Sequence, residues 1–273
     1  EAIVTFVYKF SRETLDQYPN LRWIHSMTAG VDTLPLAELA ARRIILTNAR
    51  GCHQIQMTEH VLWSVLTLFR QGHYYVRQQS QRIWQPELPI EEMHGKTVCI
   101  VGAGTIGEAV AAKCRVFGMT VLGISLSGKP NPVYHEVGSL NRLSDFLGLS
   151  DVVIAILPLT PETINFFNAE RFAQMRQGAY FVNVARGQVV DEEALAAALR
   201  SGHLRGAALD VFGEEPLPAT SPFWEMENVL LTPHIAGRSP HYFARAFGVF
   251  VENLRCYPDV ARMGNVVDLS RGY

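Results

Sequence analysis

From residue 97 to residue 235, short apolar, β-branched runs alternate with stretches of helical period. The runs at 97–101, 120–124, 152–157, 180–184, 207–211 and 229–232 predict strands. Between them lie amphipathic stretches such as 191–200. There Asp191 is placed to cap, Glu192 and Glu193 fill the first turn, and Gly202 follows the end. A strand that is apolar at every position, not only at every second one, is buried on both faces. Such strands separated by helices predict a parallel sheet covered on both sides, a doubly wound α/β domain.

Ahead of this region the spacing predicts one long helix over 55–79, with Met57, Val61, Val65 and Leu68 or Phe69 on one stripe. The stretch 85–89, with two prolines, reads as a loop returning to the sheet. Past the last strand, Ser239-Pro240 forms an N-cap and first-turn pair. The helix it opens carries Phe243, Phe247, Phe250 or Val251, and Leu254 on one side. The first 50 residues predict strand–helix–strand–helix–strand, beginning with a strand at Glu1–Tyr8. This is a second, smaller α/β unit. The C-terminal helix is expected to cross back to it, giving a discontinuous domain of 1–54 plus 238–273 beside a larger one of 55–237.

A length of 273 residues accommodates two domains. Lys plus Arg number 24 and Asp plus Glu 26, a net charge of −2, which argues against phosphate-driven nucleic-acid binding, since that needs a basic face. Apolar residues make up 48% of the chain, enough for a packed core. The longest apolar stretches, near 152–159, reach about eight residues against the roughly 20 of a membrane span. The four cysteines (Cys52, Cys99, Cys114 and Cys256) have no paired or zinc-like spacing, so no metal is expected. They read as reduced thiols of a cytoplasmic protein. The N-terminus has no basic segment of the kind that opens a secretion signal.

The chemistry gathers at predicted strand ends. Gly102-Ala103-Gly104-Thr105-Ile106-Gly107 leaves a strand and opens a helix. The first glycine allows the turn, the second lets a pyrophosphate approach the backbone, and the third lets helix and strand pack closely. The helix N-terminus then offers N–H groups to phosphates, which points to a dinucleotide. An acidic residue that would grip the ribose is missing about 20 residues on. Ser125 stands in its place, followed by Ser127 and Lys129. Two hydroxyls and a lysine favour a 2′-phosphate, so NADP(H) is expected over NAD(H). Further strand ends carry Asn183-Val184-Ala185-Arg186-Gly187, then Leu209-Asp210-Val211-Phe212-Gly213-Glu214-Glu215-Pro216, then Thr232-Pro233-His234-Ile235-Ala236-Gly237. An Arg, a Glu and a His on one rim beside a dinucleotide form a hydride-transfer constellation. The Arg holds a carboxylate, the His exchanges a proton and the Glu orients the imidazole.

These segments resemble the D-isomer-specific 2-hydroxyacid dehydrogenase family, which includes glyoxylate/hydroxypyruvate reductases, phosphoglycerate dehydrogenases and formate dehydrogenase. The likeness extends to Ala29-Gly30-Val31-Asp32, Thr47-Asn48-Ala49-Arg50-Gly51, Glu59-His60 and Leu157-Pro158-Leu159-Thr160-Pro161-Glu162-Thr163, and so spans nearly the whole chain. It implies a Rossmann cofactor domain and a flavodoxin-like substrate domain with the active site in the cleft between them. By the resemblance His234 is the acid/base, Glu215, which directly precedes Pro216, is its partner, and Arg186 binds the substrate carboxylate and carbonyl. Backbone at Ala29, Gly30 and Val31 would cradle that carboxylate, with Arg186 and His234 opposite. The cofactor would meet Gly102, Gly104, Thr105, Ile106, Gly107, Ser125, Ser127, Lys129, Leu157, Pro158, Thr163, Val184, Ala185, Arg186, Asp210, His234, Ala236 and Gly237. Asp210 would lie on its nicotinamide side.

Two departures from the family pattern stand out. One is the missing ribose acid. The other is the late start: family members carry roughly 40 residues of strand and helix ahead of the segment matching Ala2–Tyr8, and a domain without them would expose a sheet edge, so such residues are expected to precede this chain.

The resemblance implies reversible reduction of a small 2-keto acid, of glyoxylate or hydroxypyruvate type, to the D-2-hydroxy acid. Formate- or phosphite-type oxidation is the nearest enzymatic alternative. The competing class is a nucleotide-sensing corepressor of the same fold, which would carry extra interaction segments; none is visible in the sequence. The aromatic residues Tyr74, Tyr75 and Trp84 beside the helix at 55–79, together with the resemblance, favour a homodimer.

Overall fold

In the computed structural model, which describes residues 2–5 and 10–271, the chain forms two units. One runs to His53 and resumes at Arg238, and the other spans Gln54–Gly237. The first opens with β1 (Ala2–Thr5), α1 (Arg12–Asp16), β2 (Trp23–Ser26), α2 (Leu36–Ala41) and β3 (Ile45–Asn48). Glu1 and Phe6–Tyr8 of the expected first strand lie outside the described residues. Ser11 caps α1 by accepting from the Thr14 N–H at 3.3 Å. The strands pair in parallel in the order β1-β2-β3. Leu15, Ile24, Leu39 and Leu46 bury themselves on one another to form this unit's core.

The second unit contains α3 (Gln54–Phe69), α4 (Gly72–Gln81), β4 (Thr97–Val101), α5 (Thr105–Val116), β5 (Thr120–Ile124) and β6 (Glu136–Gly138). It continues with α6 (Leu143–Leu149), β7 (Val152–Ala155), α7 (Ala169–Gln174), β8 (Ala179–Asn183), α8 (Glu192–Arg200), β9 (Leu204–Leu209) and β10 (Val229–Leu231). Seven strands pair in the order β10-β9-β8-β7-β4-β5-β6, every neighbour parallel. Alternate residues supply two cores. Val98, Ile100, Ile154 and Val182 face α3 and α5, while Val101, Val153, Phe181 and Leu209 face α6, α7 and α8. The apolar-throughout strands of the sequence are thus buried on both faces, which is the Rossmann-type arrangement. Asp191 caps α8 by accepting from the Ala194 N–H at 3.0 Å.

Four features differ from the sequence expectations. The helix expected over 55–79 is two helices, broken at Gln71, which takes φ 56°. The returning chain causes the break: the Glu91 N–H donates to the Phe69 carbonyl at 2.8 Å and replaces an intrahelical bond. β6 was not expected, being only three residues long with Glu136 exposed. Four of the expected strands end earlier, β7 at Ala155, β8 at Asn183, β9 at Leu209 and β10 at Leu231. The C-terminal helix, α9 (Tyr242–Cys256), starts later than Ser239-Pro240, because Ser239 closes a turn first. Its carbonyl accepts from the Tyr242 N–H at 3.2 Å and its hydroxyl from the His241 N–H at 3.2 Å. α9 buries Ala246 and Asn253 within the first unit, and Phe250 stacks on Trp23. Phe243, Phe247 and Leu254 of the expected stripe are exposed.

Candidate active site

Because all seven strands run the same way, their C-terminal ends share one rim of the sheet. The strand order reverses between β4 and β7, and the loops leaving these two strands meet there. Gly102 has φ 112°, and a Cβ on it would lie 2.2 Å from the Ile156 carbonyl oxygen. A Cβ on Gly107 would lie 2.4 Å from the Gly102 oxygen, so helix α5 can approach β4 only through glycine. Gly104 is different, with open space where its Cβ would be. It is also the N-cap of α5 and supplies no side-chain acceptor. The first-turn amides of Thr105, Ile106 and Gly107 therefore face bare backbone and open space, a cradle that fits a dinucleotide's phosphates.

Beyond β5 the chain turns on its own serines. The Gly128 N–H donates to Ser125 Oγ at 3.1 Å and the Lys129 N–H to Ser127 Oγ at 3.4 Å. Beyond β7, Thr163 fixes the turn carrying Leu157 and Pro158. Its hydroxyl donates to the Pro158 carbonyl at 2.8 Å and accepts from the Thr160 N–H at 2.7 Å. Beyond β8, the buried Asn183 folds the turn through Val184, Ala185 and Arg186. It accepts from the Ala185 N–H at 3.0 Å and donates to the Arg186 carbonyl at 3.2 Å. Gly187 follows because a Cβ there would lie 1.8 Å from the Phe212 carbonyl carbon.

The next two strand ends bring Glu215 and His234 together. His234 Nδ1 lies 2.7 Å from Glu215 Oε2, and Glu215 Oε1 accepts from the Phe212 N–H at 2.9 Å. A carboxylate pinned at one oxygen and bonded to Nδ1 at the other orients the ring and leaves Nε2 for chemistry. His234 takes φ 52°, an uncommon conformation for a residue with a side chain. Asp210 holds it there. The His234 N–H donates to the Asp210 carbonyl at 2.8 Å, and the N–H groups of Ile235 and Ala236 donate to the Asp210 carboxylate at 2.9 and 2.8 Å. The Thr232 hydroxyl donates to the same carboxylate at 2.6 Å.

A family model described as "D-isomer specific 2-hydroxyacid dehydrogenase, NAD binding domain" matches residues 62–236, more than half of the chain. The chain belongs to the D-isomer specific 2-hydroxyacid dehydrogenase family. Glyoxylate/hydroxypyruvate reductase A of Yersinia enterocolitica is 34% identical, over 98% of this chain and 86% of that protein. A family member from Xanthobacter autotrophicus Py2, solved with NADPH and MES, is 38% identical with a TM-score of 0.87, covering 100% of this chain and 85% of that one. The NADPH-dependent glyoxylate/hydroxypyruvate reductase of Sinorhizobium meliloti, solved with NADP and sulfate, is 32% identical with a TM-score of 0.88, covering 100% and 86%. This family member is an NAD(P)-dependent oxidoreductase acting on a hydroxy or keto acid.

In the first unit, Val31 is 2% exposed and packs into the core. The carbonyls of Ala29 and Gly30 are taken by Asn48 Nδ2 and Thr28 Oγ1, each at 2.8 Å. Sequence reasoning overlooked Asn183 and Thr232 as site residues and gave His60 no role. Their only signal was a polar side chain beside an apolar strand end or on an apolar helix face. Among the described residues no cluster of three His, Cys, Asp or Glu could hold a metal, and no helix is long and apolar enough to cross a membrane.

Gly104→Ala should melt at the wild-type temperature without cofactor yet bind nicotinamide dinucleotide about tenfold more weakly, since its Cβ would occupy the phosphate approach. Gly102→Ala should melt lower even alone. Calorimetry and quenching of protein fluorescence separate the two effects.

Proposed function

We propose that the enzyme reduces a small 2-keto acid of glyoxylate or hydroxypyruvate type to its D-2-hydroxy acid, with Arg186, Glu215 and His234 as the catalytic residues. The observation that carries this is the His234–Glu215 pair at 2.7 Å on the same rim as Arg186. When bound, the reduced nicotinamide supplies the hydride. His234, charged, gives the proton at Nε2 to the carbonyl oxygen while Nδ1–H stays on Glu215. In the reverse direction Nε2 takes the hydroxyl proton back. The Arg186 guanidinium neutralises the carboxylate through two parallel bonds and polarises the carbonyl beside it. The relatives from Yersinia and Sinorhizobium, named for glyoxylate and hydroxypyruvate, support the substrate class.

Initial rates should be highest with glyoxylate or hydroxypyruvate, against pyruvate and a bulkier keto acid. His234→Ala should cut turnover by about 10² to 10⁴ with little change in cofactor affinity. Arg186→Lys should also be costly, because a point charge cannot replace the planar fork. Near-normal rates in both variants would place the chemistry elsewhere.

We assign NADP(H) as the preferred cofactor. Ser125 and Ser127 use a lone pair for the loop's own N–H groups and keep their hydroxyl protons to donate to a 2′-phosphate. Lys129 adds charge, and the two solved relatives carry NADPH and NADP. The preference in kcat/KM should be about tenfold to a hundredfold. Ser125→Asp should move it toward NAD(H), by restoring a ribose acceptor and repelling the phosphate. A wild type that favours NADH would contradict the assignment.

Cys52, Cys99, Cys114 and Cys256 form no disulfide, as in a reducing compartment, and we place the enzyme in the cytoplasm. Trp84 is 94%, Val76 67%, Ile83 51% and Trp63 46% exposed on or beside α3 and α4, more apolar surface than a monomer ordinarily leaves in one region. We propose a homodimer built on this region, and light scattering at micromolar concentration should report twice the chain mass.

A further inference from the structure

His60 belongs to the Glu59-His60 pair of α3, and the pair divides by face: Glu59 is exposed, while the His60 side chain is 11% exposed and turned inward. Its Nε2 lies 3.3 Å from Thr232 Oγ1 and 3.7 Å from Asp210 Oδ1, with the Trp63 ring centroid 5.4 Å away. The directions of the bonds follow from the donor inventory. The Ile235 and Ala236 N–H groups can only donate, so the Asp210 carboxylate accepts from both. It also accepts from the Thr232 hydroxyl at 2.6 Å. With its proton spent on Asp210, Thr232 Oγ1 can only accept from His60, which fixes the proton of a neutral imidazole on Nε2. Burial lowers the His60 pKa, in keeping with that neutral ring.

We propose that His60 and Thr232 are positioning residues for proton transfer. Their chain of bonds, His60 Nε2–H to Thr232 Oγ–H to Asp210, sets the carboxylate that clamps the His234 loop. The inference rests on His234 as the acid/base. The clamp matters because His234 sits in a left-handed conformation held by the bonds Asp210 makes to residues 234, 235 and 236. Without the Thr232 hydroxyl the carboxylate keeps only its two backbone N–H bonds, one to each oxygen, so it is held less firmly and Nε2 shifts with the loop. A displacement on the order of 1 Å at a reacting group costs up to about a hundredfold in rate.

The test uses the wild type's best substrate among glyoxylate, hydroxypyruvate and pyruvate, with NADPH. Thr232→Val, which keeps shape and removes the hydroxyl, and His60→Leu should each lower kcat by about tenfold to a hundredfold. KM and the cofactor dissociation constant should stay within about twofold. Thr232→Ser and His60→Gln, which restore the donors, should recover most of the rate. In a His234→Ala background Thr232→Val should cost nothing further, since it acts through the missing ring. Several outcomes would overturn the relay: unchanged kcat in Thr232→Val, cofactor affinity falling in step with the rate, equal losses in Thr232→Val and Thr232→Ser, or additive losses with His234→Ala. If His60→Leu fails to fold, Thr232→Val and Thr232→Ser carry the same comparison. A His234→Ala enzyme of normal rate would instead remove the acid/base assignment itself. A slow His234→Ala beside a normal Thr232→Val would remove only the relay.

Discussion

The parallel direction of all seven strands in the larger unit is the constraint on which the site depends. Parallel pairing with helices on both faces leaves the strands no solvent side, so their side chains are spent on the core and cannot serve a ligand. What remains for chemistry is the rim, where the loops after β4, β5, β7, β8, β9 and β10 emerge side by side. Crowding there decides which residue types fit. Gly102 touches the Ile156 carbonyl and Gly187 touches the Phe212 carbonyl, each too closely for a Cβ. Thr105, after one glycine turn, is exposed, and Arg186, before the other, is half-buried with its guanidinium donating to the Ala185 carbonyl at 2.8 Å.

The two carboxylates of the rim are treated differently, and their surroundings explain why. Asp210 is 2% exposed, and its oxygens are consumed by a hydroxyl and two N–H groups. Burying a carboxylate is costly, and short charge-assisted bonds offset that cost only while every donor stays in place. Such a group makes a rigid clamp and a poor proton carrier. The Glu215 side chain is 34% exposed and bonded to His234, whose side chain is 48% exposed. That pair is within reach of solvent. One acid shapes the loop, and the other orients the imidazole that the loop carries.

Much of this was legible before any coordinates. Gly102, Gly104 and Gly107 specify a strand-to-helix turn, and the apolar runs specify a parallel sheet, because both are local consequences of sterics and burial. The departures arise where a distant segment overrules local preference. The break at Gln71 exists because Glu91 takes the Phe69 carbonyl, and no periodicity within α3 encodes that bond. β6 pairs with β5 through three residues, too few to show a period. Asn183 and Thr232 stand at the head of their strand-end motifs, but the motifs alone do not say what either side chain bonds. The role of Thr232 depends on distant partners, Asp210 at 22 positions and His60 at 172 positions away in sequence.

Four hydroxyls on or beneath the rim show why residue type alone does not identify a ligand contact. Thr163 donates to Pro158 and accepts from Thr160, so its proton is committed to the turn it stabilises. Thr232 has likewise given its proton to Asp210. Ser125 and Ser127 only accept from backbone N–H groups, which leaves each a proton to give. The direction of the bonds already made separates the hydroxyls that shape the site from those able to recognise an anion. By that criterion Thr163 fixes the path of Leu157 and Pro158, whereas each of the two serines keeps a proton to donate.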